Sequence, residues 1–171
     1  MKDEVIEILL VEDDPLDMEM TMRALRTDHV HNRVAVVRDG EEALDFLFCR
    51  GSYHGRGTER PPQLILLDLN LPKIDGLQVL REIKAHPELR TIPVVILTSS
   101  AEQRDIINSY DLGVNSYIQK PVDATQFREA VKTLGYYWLV VNLRPPDKMV
   151  PAMTLTPSGS GSVSRPGNGD R

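Results

Sequence analysis

Four short segments of this 171-residue chain carry side chains that could do chemistry together. Glu12 and Asp13 close one apolar run, Asp68 a second, Thr98-Ser99 a third, and Lys120-Pro121 a short fourth. Carboxylates gathered at one place repel one another and raise each other's pKa unless a cation sits among them. An all-oxygen donor set beside an amine suits Mg²⁺, which keeps waters and takes one or two carboxylates plus phosphate oxygens. Such a set serves phosphoryl transfer onto a carboxylate, with Asp68 as the in-line nucleophile. Asp13 and Asp68 would hold the ion, and Lys120 would act as a point charge on the phosphoryl oxygens. Taken singly, the acids have plainer roles: Asp14 is a helix cap, and Asp68 could merely order its loop.

Convergence of these residues requires a particular alternation of elements, and the chain has it. Val5–Val11, Val34–Val37, Leu64–Leu67 and Pro93–Leu97 are short apolar runs bounded by polar residues, the signature of strands buried on both faces. A fifth, shorter strand falls around Tyr117-Ile118. Helices follow each: Asp14-Pro15 starts one running toward Thr27, with a capping carboxylate before proline at the first helical position. Asp39-Gly40-Glu41-Glu42 is an acidic capping box for the second, whose apolar face is Ala43, Leu44, Leu47 and Phe48. The third covers Leu77–Ala85 and the fourth runs from Glu102 to about Leu112. Asp123, with Gln126 three residues on, caps a last helix reaching about Asn142. Strict strand–helix alternation implies an α/β fold with a parallel sheet wound on both faces by right-handed crossovers. Ligands then bind beyond the carboxyl ends of the strands, where the four segments lie.

Composition narrows the function further. The chain is 41% hydrophobic and 26% charged, with a formal net charge of −5, which argues against a nucleic-acid surface. Its longest apolar runs are far short of the roughly 20 residues that span a bilayer, and a strand-like segment follows Met1-Lys2-Asp3-Glu4 directly, without a secretion signal. One cysteine, Cys49, excludes an internal disulfide and fits a reducing compartment, so the expected location is cytoplasmic. Cys49 reads as a small filler, and His29, His31, His54 and His86 lack ligand spacing and read as surface residues. Residues 51–62, with three glycines and two prolines, read as a flexible loop rather than a phosphate-binding one, because they follow a helix and lack Gly-Lys-Ser/Thr.

Over residues 5 to about 141 the chain resembles the receiver domain of two-component response regulators. The resemblance rests on Glu12-Asp13, Asp68-Leu69-Asn70-Leu71-Pro72-Lys73-Ile74-Asp75-Gly76, Thr98-Ser99 and Lys120-Pro121, with 30 residues from Asp68 to Thr98 and 22 from Thr98 to Lys120. It implies a five-stranded sheet in the order 2-1-3-4-5, the flavodoxin-like arrangement. It implies that Asp68 accepts phosphate from a phosphohistidine of a sensor kinase. It also implies that Asp13, Asp68 and the Asn70 carbonyl bind Mg²⁺, with Glu12 acting through water. Thr98 would hydrogen-bond the phosphoryl group and Ser99 would supply an amide. Lys120 would pair with the group ahead of a Pro121 bond that is cis in the family, and Tyr117 takes the switch-aromatic position. The long 51–62 loop, the Asp68–Lys73 run and Tyr136-Tyr137-Trp138-Leu139 resemble more narrowly the stand-alone regulators that partner bacterial and cyanobacterial phytochrome kinases.

Beyond the receiver the chain has little left. Residues 1–142 are expected to be the receiver with an extended last helix. Residues 143–171, with five prolines and a Gly/Ser stretch, are expected to be a disordered or extended tail. Tyr136 to Val141 are apolar or aromatic at every position, so the segment either packs over its own sheet with the tail folded back on it or, the reading preferred, Tyr136, Tyr137, Trp138 and Val141 form a homodimer interface. Met149, Val150, Met153 and Leu155 could add an arm. A phospho-signalling switch competes with an aspartyl-phosphate hydrolase, which needs a second aspartate where this chain has Asn70, and with a phosphate-independent adaptor, which would have lost residues that are all present.

Overall fold

Strands that are covered on both faces must be apolar at every position, and the central ones here are. The computed structural model describes residues 6–26, 33–56, 61–100, 102–120 and 123–143. β1 (Ile8–Val11), β3 (Leu64–Leu67) and β4 (Val94–Thr98) are buried throughout, while β2 (Val34–Val37) and β5 (Ser116–Gln119) at the two edges are mostly half-buried. All pairings are parallel, in the order β2-β1-β3-β4-β5. The period-2 alternation of side chains divides the strands between two cores. Leu9, Val11, Ile65, Leu67, Val94 and Ile96 face α2 (Gly40–Leu47) and α3 (Gly76–Ala85), meeting Phe46, Val79, Leu80 and Ile83. Ile8, Leu10, Leu64, Leu66, Val95 and Leu97 face α1 (Pro15–Leu25) and α5 (Ala124–Tyr136), meeting Ala24, Leu25, Phe127 and Val131. Each such burial is worth about 1.5–3 kcal/mol, so the sheet is a firm platform for whatever projects from its ends.

Register and caps then aim the chain ends. Val11 lies opposite Val37 and Leu67, and Leu67 opposite Ile96, so Glu12 and Asp68 emerge side by side. Asp14 caps α1 by accepting from the amides of Leu16 and Asp17 at 2.8 and 3.0 Å. Asp39, Asp75 and Asp123 do the same for α2, α3 and α5. The capping box of α2 is shifted by one residue: Asp39 accepts from Glu42 N, but Glu42 returns to Arg38 N at 2.8 Å. α4 (Gln103–Asp111) starts at Glu102 with no side-chain cap.

Two expectations change. Residues 51–56 of the supposed flexible loop form a 3₁₀ helix, because Tyr53 stacks edge-on against Phe46 and donates to Glu42 at 2.6 Å. Arg56 lies 3.5 Å above the same Phe46 ring and donates to its carbonyl at 3.0 Å. The last helix is not α-helical to Asn142: after Tyr136 it widens into a π-helical turn, Tyr137–Val141, closed by Asn142 N donating to Tyr137 O. Cys49 is half-buried with φ 52°, consistent with its filler role. His86 packs edge-on against Phe48, while His29 and His31 lie outside the described residues. So do residues 144–171, including the proposed arm.

Candidate functional site

The site forms where β1, β3, β4 and β5 end. Glu12, Asp13 and Asp68 place one carboxylate oxygen each within 4.8 Å of the others. Glu12 and Asp68 are buried and Asp13 is exposed, so the cluster opens to solvent on one side. Lys120 reaches in from the end of β5 and donates to Glu12 Oε2 at 2.6 Å, Asp17 Oδ2 at 2.7 Å and Asp68 Oδ2 at 3.0 Å. The second oxygens are also used: Asp68 Oδ1 accepts from Asn70 N, and Glu12 Oε1 from Asp14 N, both at 3.0 Å. The tight turn after Asp68 requires glycine at 76, where a Cβ would stand 2.2 Å from the Asp68 carbonyl oxygen.

The electrostatics follow from burial. Burial pushes the Glu12 carboxyl up to about 7, against the pull of the Lys120 ammonium 2.6 Å away. Burial also works against the charge on Lys120, but hydrogen bonds to Asp17, Glu12 and Asp68 outweigh it and hold its pKa above the ordinary lysine value. One ammonium therefore faces four carboxylates, counting Asp17 with the cluster of three. Excess negative charge on hard oxygen donors, two of them desolvated, fits a divalent cation such as Mg²⁺. Glu12, Asp13 and Asp68 are the side chains that would hold it.

A hydroxyl wall completes the site. Thr98 is fully buried at the end of β4, and its Oγ1 accepts from Ser100 N at 3.2 Å. Asn70 Nδ2 makes long contacts of 3.5 Å to Thr98 Oγ1 and 3.4 Å to Ser99 Oγ, joining the β3 and β4 ends. Tyr117 is half-buried and donates to the Ser100 carbonyl at 2.9 Å, and Ser100 Oγ donates to Asp105 at 2.6 Å. Of the residues expected from sequence, Glu12, Asp13, Asp68, Asn70, Thr98, Ser99 and Lys120 converge, and Tyr117 connects to them through Ser100. Pro121 and its preceding bond lie outside the described residues. Asp17 and Asp105 were missed. Asp17 had a legible signal, since the first turn of a helix that starts at a strand end points back over that end.

Tyr136, Tyr137 and Val141 are exposed, at 59%, 45% and 53%. Trp138 departs from that set: with Leu139 it packs against the core beneath α1 and α5. Its indole N–H is buried without an acceptor among the described residues. Among those residues no helix is long and apolar enough to cross a membrane.

A five-stranded parallel sheet in this order, carrying an acidic cluster, a buried hydroxyl and an inserted lysine at its carboxyl edge, defines the receiver class of α/β protein. The response regulator receiver domain matches residues 8–132, and the chain belongs to that family. It is 42% identical over 132 residues to the response regulator Rcp1 of Synechocystis sp. (strain ATCC 27184 / PCC 6803 / Kazusa), covering 77% of this chain and 88% of that protein. The structure is similar to that of the phosphorylated cyanobacterial phytochrome response regulator RcpA, with TM-score 0.76 and 44% identity over 83% of this chain and 99% of RcpA. It is also similar to the Mn²⁺-bound form of Rcp1, with TM-score 0.74 and 41% identity over 81% of this chain and 97% of Rcp1. As a receiver domain the chain is a signalling regulator of the two-component type.

Proposed function

We propose that this chain is a stand-alone response regulator whose Asp68 takes a phosphoryl group from a phosphohistidine of a sensor histidine kinase, in the cytoplasm, with Mg²⁺ as the metal. An Asp68 oxygen attacks phosphorus in line, the P–N bond breaks, and the imidazole leaves with its electron pair and takes a proton. The observation that carries this reading is the Asp68 carboxylate, buried and held by Lys120 Nζ on one oxygen and Asn70 N on the other. In this reading Lys120 pairs with the phosphoryl oxygens, the Thr98 hydroxyl donates to them and the Ser99 amide assists. Glu12, Asp13, Asp68 and the Asn70 carbonyl are the ligand set we assign to Mg²⁺. Bound there, the ion supplies positive charge for the oxygens that carry negative charge in transfer.

Drawing Thr98 toward a phosphoryl group loads Ser100, whose amide it accepts and whose carbonyl holds Tyr117. That chain of contacts supports Thr98 and Tyr117 as the switch, with Pro121 following Lys120. The chain turns nothing over beyond its own phosphorylation and slow dephosphorylation. The kinship with phytochrome response regulators supports a phytochrome as the kinase. Exposed Tyr136, Tyr137, Val140 and Val141 support a homodimer through the end of α5, and the acidic charge supports partners that are proteins rather than nucleic acid. We keep residues 1–142 as the receiver and 143–171 as its tail.

The test is incubation with a small phosphodonor and Mg²⁺. Wild type is expected to take up alkali-labile phosphate and Asp68→Asn none. Uptake by the variant equal to wild type would overturn the assignment.

A further inference from the structure

Lys120 is saturated before any phosphoryl group arrives. An ammonium has three N–H donors, and Glu12, Asp17 and Asp68 take all three at 2.6, 2.7 and 3.0 Å. A phosphoryl group on Asp68 brings about 1.5–2 negative charges and three strong acceptor oxygens, so one of these bonds must be exchanged for it. The three are unequal in what their loss costs. Glu12 and Lys120 side chains are 2% and 7% exposed, and a carboxylate abandoned in that setting keeps its full desolvation penalty. Asp68 carries the group itself, so its bond to the ammonium passes to the phosphoryl oxygens on the same side chain, and any further bond they take must come from Glu12 or Asp17. Asp17, on the first turn of α1, is 32% exposed and can be rehydrated on release.

We propose that Asp17 is a positioning residue for Lys120: it holds the ammonium over the site in the resting chain and gives it up to the phosphoryl group. The inference rests on Asp68 being the phosphoacceptor. Asp17 then sets a standing cost on the phosphorylated state, because the bond Lys120 offers the phosphate is first withdrawn from a carboxylate. It also ties the phosphate to α1, since the exchange frees a first-turn side chain of that helix. The plainer role for Asp17 is an acid in the first turn, favourable to the helix dipole, and that role predicts a loss of stability with no effect on phosphate binding.

The two separate in a titration of the full chain with beryllium fluoride at saturating Mg²⁺. This anion adds to a carboxylate with the shape of a phosphoryl group and is counted directly by ¹⁹F NMR. Asp17→Asn is expected to lower the dissociation constant about two- to fivefold, the range of a partly exposed ion pair. Asp17→Glu, which restores the charge, is expected to return it toward wild type. Glu19→Gln removes a charge from the same helix, where it pairs with Arg23, and is expected to shift nothing. Unchanged or weaker binding by Asp17→Asn, or an equal gain from Glu19→Gln, overturns the proposal. If wild type binds no beryllium fluoride, the phosphoacceptor reading falls and this one with it.

Discussion

The Tyr117 hydroxyl donates to the Ser100 carbonyl at 2.9 Å, which pins the aromatic ring of β5 to the loop that follows Thr98. Ser100 in turn donates from its side chain to Asp105 on α4 and from its amide to Thr98 Oγ1. One serine therefore joins the buried hydroxyl of the site, the ring of β5 and the first turn of α4. Tyr117→Phe keeps the packing and removes one bond, so it is expected to cost about 0.5–1.5 kcal/mol in urea unfolding. It is also expected to speed amide exchange at the start of α4. Unchanged exchange there would show that Tyr117 does not restrain the loop.

Three glycines make a graded test of close approach. At Gly40 a Cβ would stand 1.9 Å from the Ile74 carbonyl oxygen, and at Gly76 2.2 Å from that of Asp68, both backbone atoms that cannot rotate away. At Gly55 nothing lies within 4 Å. Gly40→Ala and Gly76→Ala are each expected to cost about 1–3 kcal/mol or more through overpacking, and Gly55→Ala about 0.5 kcal/mol or less. Gly76→Ala should also weaken divalent-metal binding at the acidic cluster, because it displaces Asp68. Thermal unfolding and metal titration of the three variants check the order, and equal melting temperatures would contradict it.

The site was legible in the sequence where chemistry and position coincide. Glu12, Asp68, Thr98 and Lys120 follow apolar runs, so the parallel sheet that those runs require brings them together without further information. Asp17 was legible only as a first-turn side chain of α1 above the strand ends; that Lys120 reaches it depends on how far the lysine extends, which spacing does not contain. The ordered 51–56 turn was hidden by composition: Gly51, Gly55 and His54 look like loop, while the residues that fix it, Tyr53 and Arg56, act through Phe46 on the preceding helix. The α-to-π change after Tyr136 leaves no trace in the pattern, since six successive apolar residues satisfy any helical period.

That turn supplies a third prediction. Arg56 caps the Phe46 ring at 3.5 Å, and the Tyr53 hydroxyl is raised to about 12 by burial and by its bond to Glu42. Arg56→Ala is expected to cost about 0.5–2 kcal/mol from the lost cation–π and carbonyl contacts. It should also open residues 51–56 to proteolysis. Equal cleavage rates in variant and wild type would mean the turn stands without Arg56.

Lys84 on α3 gives a pH dependence. It is half-buried and donates to the Arg90 and Ile92 carbonyls at 3.2 and 3.1 Å. Burial holds its pKa below the ordinary lysine value. The unfolded chain therefore binds this proton more tightly than the folded one, and stability rises with pH from the folded pKa up to the ordinary value near 10.4. Below that window the charged form persists in both states and the penalty stays in full. Lys84→Met removes the group, so its unfolding free energy should rise less with pH above neutrality than that of wild type. Parallel urea curves for the two chains across the alkaline range would count against a buried charge at this position.

The end of α5 separates packing from association. Trp138 and Leu139 pack onto the core, while Tyr137 and Val141 remain 45% and 53% exposed and Leu143 93% exposed. Aromatic and apolar side chains left out in this way are those that anchor protein interfaces, and truncation of such anchors commonly costs 1 kcal/mol or more of binding. Tyr137→Ala with Val141→Ala is therefore expected to lower the mass in light scattering while urea stability of the monomer barely moves. Trp138→Ala, which empties a half-buried position, is expected to do the reverse first, costing about 1–3 kcal/mol of stability. A wild-type chain that scatters as a monomer at its highest soluble concentration would end the dimer assignment. A double variant with undiminished mass would move the interface to another face.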